Sequence, residues 1–277
     1  MWTDTPARLF DNSYTHNPRL YGLPPYTVAV VHGGPGAAGE MAPVARELSD
    51  EFGVIEPLQT ARTIADQVQE LGGMLASHGT LPVTVIGYSW GAWLAVLTAV
   101  RYPERVKELM LVSSGPFEER YTAEMEKARI SRLSSDERRE VETLFSSLSR
   151  NQHEEREAAF ARIGALLSKA DMYDPLPDEG DEIECRADIF EGIWREAAEL
   201  RRSGTLLATT RRVQCPVLAI HGDYDPHPPA GVRAPLNAVL PDFRFVLLAH
   251  CGHTPWMERC ARDAFFQTVR EELRARK

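Results

Sequence analysis

The chain has 277 residues, 43% of them hydrophobic, and a formal net charge of −9. That length can bury a sizeable core, as one large α/β domain or a core with a smaller insertion, and the acidic balance argues against non-specific binding to nucleic acid or to anionic lipid. No apolar leader stands in residues 1–20, no run is long enough to span a bilayer, and Cys185, Cys215, Cys251 and Cys260 show neither CxxC nor zinc spacing, which together predict reduced thiols, no metal, no membrane partner and a cytoplasmic location.

In chain order, the first strand signal is the β-branched run 27–31, which breaks into glycines as VAVVHGGPGAAGE (residues 28–40). Gly34, Gly36 and Gly39 spell G-x-G-x-x-G, and Glu56, at the end of the next short apolar run (53–55), lies near the spacing of a ribose contact. A dinucleotide loop is therefore one reading. Pro35 counts against it, because it removes an N–H between the first two glycines, where a pyrophosphate needs donors. The other reading is a loop that serves an oxyanion.

Residues 64–77 read as a crossover helix, 83–86 as a strand, 93–101 as a second helix and 108–112 as another strand. Strands at 217–220 and 243–248 follow much later. The last stretch, 254–274, places Met257, Ala261, Phe265, Val269 and Leu273 on one helical face. Continuous apolar runs alternating with helices predict an α/β fold, a mostly parallel sheet with helices on both faces. One segment breaks the alternation. From 117 to 212 no strand-like run occurs and charge density rises, with helical stretches near 121–133, 154–169 and 189–202. Val141, Leu144, Phe145 and Leu148 follow i, i+3, i+4, i+7 behind a capping box of Ser134 and Glu137, and residues 173–182 form a loop. The expected organisation is a core over 1–116 and 213–277, interrupted by a helical cap over 117–212.

The chemistry concentrates in VTVIGYSWGAWLAV (83–96), where a strand enters G-x-S-x-G (Gly87, Ser89, Gly91) and passes straight into a helix. Such a turn holds a serine strained and exposed above the sheet, with the Trp90 N–H and the helix dipole facing any developing negative charge. A serine needs a base, and the base an orienting acid, in the order Ser, Asp or Glu, His on later strand ends. VLAIHGDYDPHPP offers Asp223 and Asp225, and FRFVLLAHCGHTPWME offers His250 and His253. Asp225, further into its loop, and His253, after a glycine at the loop apex, are the choices. Asp223 is expected in turn hydrogen bonds, His32 in structural bonds to loop backbone, Cys251 in packing, and His221 and His227 in packing or solvation.

HGGPG (32–36), GYSWG (87–91), HGDYDP (221–226) and CGHTPWME (251–258) resemble the α/β-hydrolase superfamily, most of all its proline iminopeptidase-like branch. The resemblance covers about 25–115 and 213–275. It implies that Gly34 supplies a second oxyanion donor beside Trp90, that no cofactor is needed, and that cap carboxylates hold a substrate amino terminus, for which Glu191 and Glu196 around Trp194 are candidates. The expected activity is hydrolysis of an ester, thioester or peptide bond in a small molecule or short peptide, with cap residues such as Trp194 and Phe190 selecting the substrate. An aminopeptidase of the iminopeptidase type, or a non-catalytic ligand-binding protein on this fold, is the alternative.

Overall fold

The apolar runs become strands covered on both faces. A computed structural model describes residues 17–148, 153–177 and 184–276. Its first half comprises β1 (Arg19–Tyr21), β2 (Tyr26–Val31), β3 (Ala37–Ala38), α1 (Ala42–Leu48), β4 (Gly53–Glu56), α2 (Ile64–His78), β5 (Val83–Tyr88), α3 (Trp90–Arg101) and β6 (Val106–Val112). Then come α4 (Thr122–Arg132), α5 (Ser135–Leu148), α6 (His153–Asp171), β7 (Glu184–Cys185), α7 (Ala187–Arg202) and α8 (Thr205–Thr210). The chain ends with β8 (Val217–Gly222), α9 (Ala230–Val239), β9 (Phe243–Leu248) and α10 (Arg262–Ala275).

Among the described residues, seven strands form the main sheet in the order β1-β4-β2-β5-β6-β8-β9. All neighbours are parallel except β1, which runs antiparallel along β4 through Arg19↔Glu56 and Tyr21↔Val54. The two-residue side-chain period of a strand sorts the core into two layers. Ala29, Val31, Val85, Leu109, Leu111, Val217 and Ala219 face one layer, with Leu71 and Leu75 of α2, Leu94 of α3 and Leu236 of α9. Val28, Val30, Ile86, Met110, Val112, Leu218 and Ile220 face the other, with Leu48 of α1 and Phe265, Val269 and Leu273 of α10. A run that is apolar at every position is what a strand sandwiched this way requires.

Because the strands are parallel, the loops after β2, β5, β8 and β9 all emerge at one edge of the sheet, where open α/β sheets place their sites. The helices between β6 and β8 carry a small core of their own in Leu133, Val141, Leu166 and Ala170. The capping box at the start of α5 forms, with Glu137 N–H donating to Ser134 Oγ (3.3 Å) and Ser134 N–H to Glu137 Oε2 (2.8 Å).

Two sequence expectations change. The closing helix begins at Arg262 instead of at 254: Pro255–Met257 make a single 3-10 turn and Glu258 has extended backbone, because its carboxylate is drawn inward to loop N–H groups. The segment 117–212 does contain a strand, since β7 pairs antiparallel with β3; this pairing uses backbone groups and leaves no apolar pattern. Of the expected loop 173–182, residues 178–182 lie outside the described residues, as does most of the 1–20 segment. Cys215, Cys251 and Cys260 are free thiols, and the Cys185 side chain lies outside what is described.

Candidate active site

Ser89 stands between β5 and α3 with φ +51° and ψ −113°, a conformation a non-glycine residue holds only under constraint. The constraint is close packing. A Cβ on Gly91 would lie 2.4 Å from both the Val31 and His32 carbonyl oxygens, and one on Gly87 would lie 2.4 Å from the Gly91 carbonyl. Only glycines on both sides let the turn close this tightly.

Ser89 Oγ lies 3.1 Å from His253 Nε2, and His253 Nδ1 lies 2.9 Å from Asp225 Oδ2. The structure thus brings together the serine, acid and base chosen from sequence. Asp225 is buried, and its other oxygen, Oδ1, accepts from the His227 N–H (2.9 Å) and pairs with His227 Nδ1 (2.8 Å). His221 Nε2 lies 3.4 Å from Oδ2 and 2.8 Å from the His227 carbonyl, to which it donates. One carboxylate is therefore surrounded by three imidazoles. Burial alone would raise its pKa, but the fields of His253, His221 and His227 hold it well below the usual carboxylate range. Burial likewise works to lower the pKa of His253, and the charge and hydrogen bond of Asp225 outweigh it, so His253 is more basic than a free imidazole. Burial lowers His227 to about 4 and keeps it neutral.

Asp223 accepts the Cys251 N–H at Oδ1 (3.1 Å) and does not reach the relay. His250 packs on Tyr173, with ring centroids 5.3 Å apart. His32 is neutral, lowered to about 4 by burial, with its Nε2 accepting the Gln59 N–H (3.2 Å). Burial pushes the Cys251 thiol well above the ordinary cysteine range, so it is inert. Glu56 is buried and engaged by Tyr21 Oη–H (2.7 Å) and by Arg19.

Among the described residues, neither the Gly34 nor the Trp90 N–H has a protein acceptor. The loop carrying Gly34 is held by Glu40, whose Oε2 accepts the Gly33 N–H (3.0 Å). Burial raises the Glu40 carboxyl to about 7, against the downward pull of the His253 charge and the Gly33 bond. Tyr88 stacks beside His253 (centroids 5.0 Å) and shares a 3.0 Å hydrogen bond with Thr254 Oγ1.

Residues of the helical insertion border the site. Met125, Trp194 and Arg201 meet Trp90, Trp93, Gly115, Pro116 and His227 around a cavity of about 20 Å³ beside Ser89, room for roughly one water. Phe190 stacks on Trp194 with ring centroids 5.7 Å apart. Glu196, a candidate for holding a substrate amine, instead accepts the Ile64 N–H (2.9 Å) at the start of α2. The insertion also joins the base loop: Asp171 carbonyl accepts the His253 N–H (2.8 Å), while its carboxylate forms a two-point pair with Arg129 (2.6 and 2.8 Å). Buried Glu258 accepts N–H groups from Gly252, Tyr173 and Asp174 (2.7 to 2.8 Å).

Asp225, His227 and His253 place a carboxylate oxygen and two imidazole nitrogens within 4.8 Å of one another, a spacing that a metal ion could use. Those atoms already bond one another, so a cation would have to displace both Nδ1–H bonds to Asp225. Sequence reading missed the parts played by His227, Glu258 and Asp171. His227 had a signal: Asp-Pro-His is the pattern in which an Asp side chain binds the backbone N–H two residues on.

A family model described as the alpha/beta hydrolase fold matches residues 56–259. The chain is 29% identical over 264 residues to a pimeloyl-[acyl-carrier protein] methyl ester esterase of Chromobacterium violaceum, spanning 89% of this chain and 93% of that one. Its counterpart in Nitrosomonas europaea is 29% identical over 198 residues, 69% of this chain and 72% of that one. Among solved structures, VinJ superposes with a TM-score of 0.66 at 18% identity, over 94% of this chain and 95% of that one. Proline iminopeptidase of Mycobacterium smegmatis gives 0.60 at 19% identity, over 94% of each chain. These structural likenesses concern the fold. The iminopeptidase is one neighbour among many.

Proposed function

The chain belongs to the α/β-hydrolase fold family, and from that premise we propose that it is a serine hydrolase that cleaves a carboxylic ester of a small molecule through an acyl-enzyme on Ser89. One observation carries the reading: the unbroken Ser89–His253–Asp225 relay, with the acid buried and the base more basic than free imidazole. The methyl ester esterases among its relatives support an ester as the bond. The engagement of Glu196 by Ile64 weighs against an aminopeptidase, which needs free carboxylates for the substrate amine.

In this mechanism Ser89 Oγ–H donates to neutral His253 Nε2 and passes its proton there as Oγ attacks the carbonyl. Asp225 fixes the Nδ1–H tautomer and stabilises the imidazolium. The Gly34 and Trp90 N–H groups receive the oxyanion, where one such donor is worth about 10²–10³ in rate. His253 returns the proton to the leaving alcohol, then activates water to release the acid. The insertion acts as a cap that shapes the acyl pocket, and no metal, cofactor or nucleic acid takes part.

The test is labelling with a fluorophosphonate probe together with hydrolysis of 4-nitrophenyl acyl esters and aminoacyl 4-nitroanilides. Wild type should be labelled and should favour the esters, and Ser89→Ala should lose both properties while remaining folded. A folded wild-type protein that is neither labelled nor active on any substrate is a ligand-binding protein, and the reading falls.

A further inference from the structure

His227 has a nitrogen that the relay does not use. An ionised carboxylate only accepts hydrogen bonds, so the 2.8 Å approach of His227 Nδ1 to Asp225 Oδ1 puts the ring proton on Nδ1 and a lone pair on Nε2. Among the described residues, no protein group donates to that Nε2. Nor is the atom sealed away: His221 Nδ1 is buried without a partner, whereas His227 Nε2 is not among such atoms and its ring lines the cavity beside Ser89. The ring stands close to the reacting groups, 4.5 Å between centroids from the ring of His253.

Apart from the Ser89 hydroxyl, which is the proposed nucleophile, the rest of that cavity offers a substrate no side-chain nitrogen or oxygen that accepts. Trp90 Nε1 donates to Gln67 Oε1 (3.1 Å), Trp93 Nε1 to the Gly115 carbonyl (3.1 Å), and Arg201 pairs with Glu119 (2.8 Å). Pro116, Met125 and Trp194 are apolar walls. A lone acceptor in such surroundings costs free energy when a purely apolar group displaces its water, and regains it when a donor takes the water's place. Burial that keeps the imidazole neutral keeps the lone pair present across the working pH range.

We propose that His227 is a specificity-determining residue whose Nε2 accepts a hydrogen bond from a hydroxyl or N–H group near the scissile carbonyl, so that the preferred substrates are esters of hydroxyacyl or amidoacyl type. The inference rests on the ester-hydrolase reading and narrows its substrate class. It gives His227 two separable duties: Nδ1–H helps to hold Asp225, and Nε2 reads the substrate.

Matched esters test it. The 4-nitrophenyl esters of 2- and 3-hydroxybutanoate are compared with their O-methyl ethers, which keep the inductive effect and lose the donor. Wild type should prefer at least one hydroxy ester over its ether by about tenfold or more in kcat/KM. His227→Asn can still donate to Asp225 from the position of Nδ1 but offers nothing at Nε2, and should bring that ratio to near one. His227→Gln places its amide oxygen near Nε2 and cannot reach Asp225; it should lower kcat for both esters and keep the preference. Equal kcat/KM for every hydroxy ester and its ether in wild type overturns the proposal, as does a preference that survives in His227→Asn. If His227→Asn does not fold, the wild-type and His227→Gln ratios decide the matter. Fluorophosphonate labelling of Ser89 runs alongside: labelling without donor preference refutes this inference alone, and loss of labelling refutes the hydrolase reading beneath it.

Discussion

Replacing Asp225 by asparagine should stop turnover through a tautomer, and the structure says which way the amide turns. Oδ1 receives two donors from His227, one of them a backbone N–H that cannot change its protonation, at 2.9 Å. The amide oxygen of the Asp225→Asn variant is therefore held on the His227 side, and its NH2 group faces His253 Nδ1, which lies 2.9 Å from the carboxylate in the native protein. His253 can meet a donor only by carrying its proton on Nε2, and it then cannot accept from Ser89. A wrong tautomer of this kind lowers kcat by about 10⁴. Asp223→Asn is the control, since an amide oxygen can go on accepting the Cys251 N–H, and its effect should stay within about tenfold. Both variants are assayed by kcat/KM on a 4-nitrophenyl ester, with thermal melting to show that each is folded. A folded Asp225→Asn within tenfold of wild type, or a greater loss in Asp223→Asn, refutes the reasoning.

Further expectations concern the surroundings of the relay. Activity requires neutral His253, so kcat/KM should fall as pH drops through a pKa raised above 6.5; Glu40→Gln removes a nearby carboxylate and should move that acidic limb to lower pH, and a limb that stays or rises sinks the coupling. Trp194→Ala should reorder acyl esters by chain length with graded shifts of roughly 10–200-fold, whereas an equal fall for every ester in a kcat/KM series would deny the insertion a selecting role. Glu258→Gln leaves one oxygen for three N–H donors and should cost about 1–3 kcal/mol. At this size that is roughly 2–10 °C in melting temperature, and an unchanged Tm would mean that the carboxylate is not holding these loops.

The parallel sheet was legible because β5 and β8 are buried at every position and each ends at or beside a glycine. β1 was not: three residues at the sheet edge, half-buried and preceding Gly22, leave no apolar run to read. The elbow could be read since close packing dictates glycine at 87 and 91, on either side of Ser89. Asp225 and His253 followed from chain order, whereas His227 looked like one more loop histidine until its ring was seen to share the Asp225 carboxylate. Glu258 and Asp171 escaped for a general reason. Their partners are backbone groups far along the chain, 84 and 85 residues away for the Asp174 and Tyr173 bonds of Glu258, and a backbone N–H has no sequence signature.

The way the insertion is tied down limits how a substrate can arrive. Its chain returns to the core midway, through Leu176 N–H to Met257 carbonyl, Arg259 N–H to Asp174 carbonyl, the Asp171 bond to His253, the two N–H groups on Glu258, and the Arg186 N–H bond to Gly36 beside β3. Raising the insertion as one plate would break all six of these and cost on the order of 6 kcal/mol at about 1 kcal/mol each, a large part of what typically holds a domain folded. Were the Asp171 bond to His253 to hold while the others broke, the same motion would drag the base away from Ser89. Trp194, still 38% exposed, and Met125 border the cavity beside Ser89 and take part in none of those bonds, so on the proposed reading a rearrangement of these two side chains would admit a substrate without disturbing the alignment of the base.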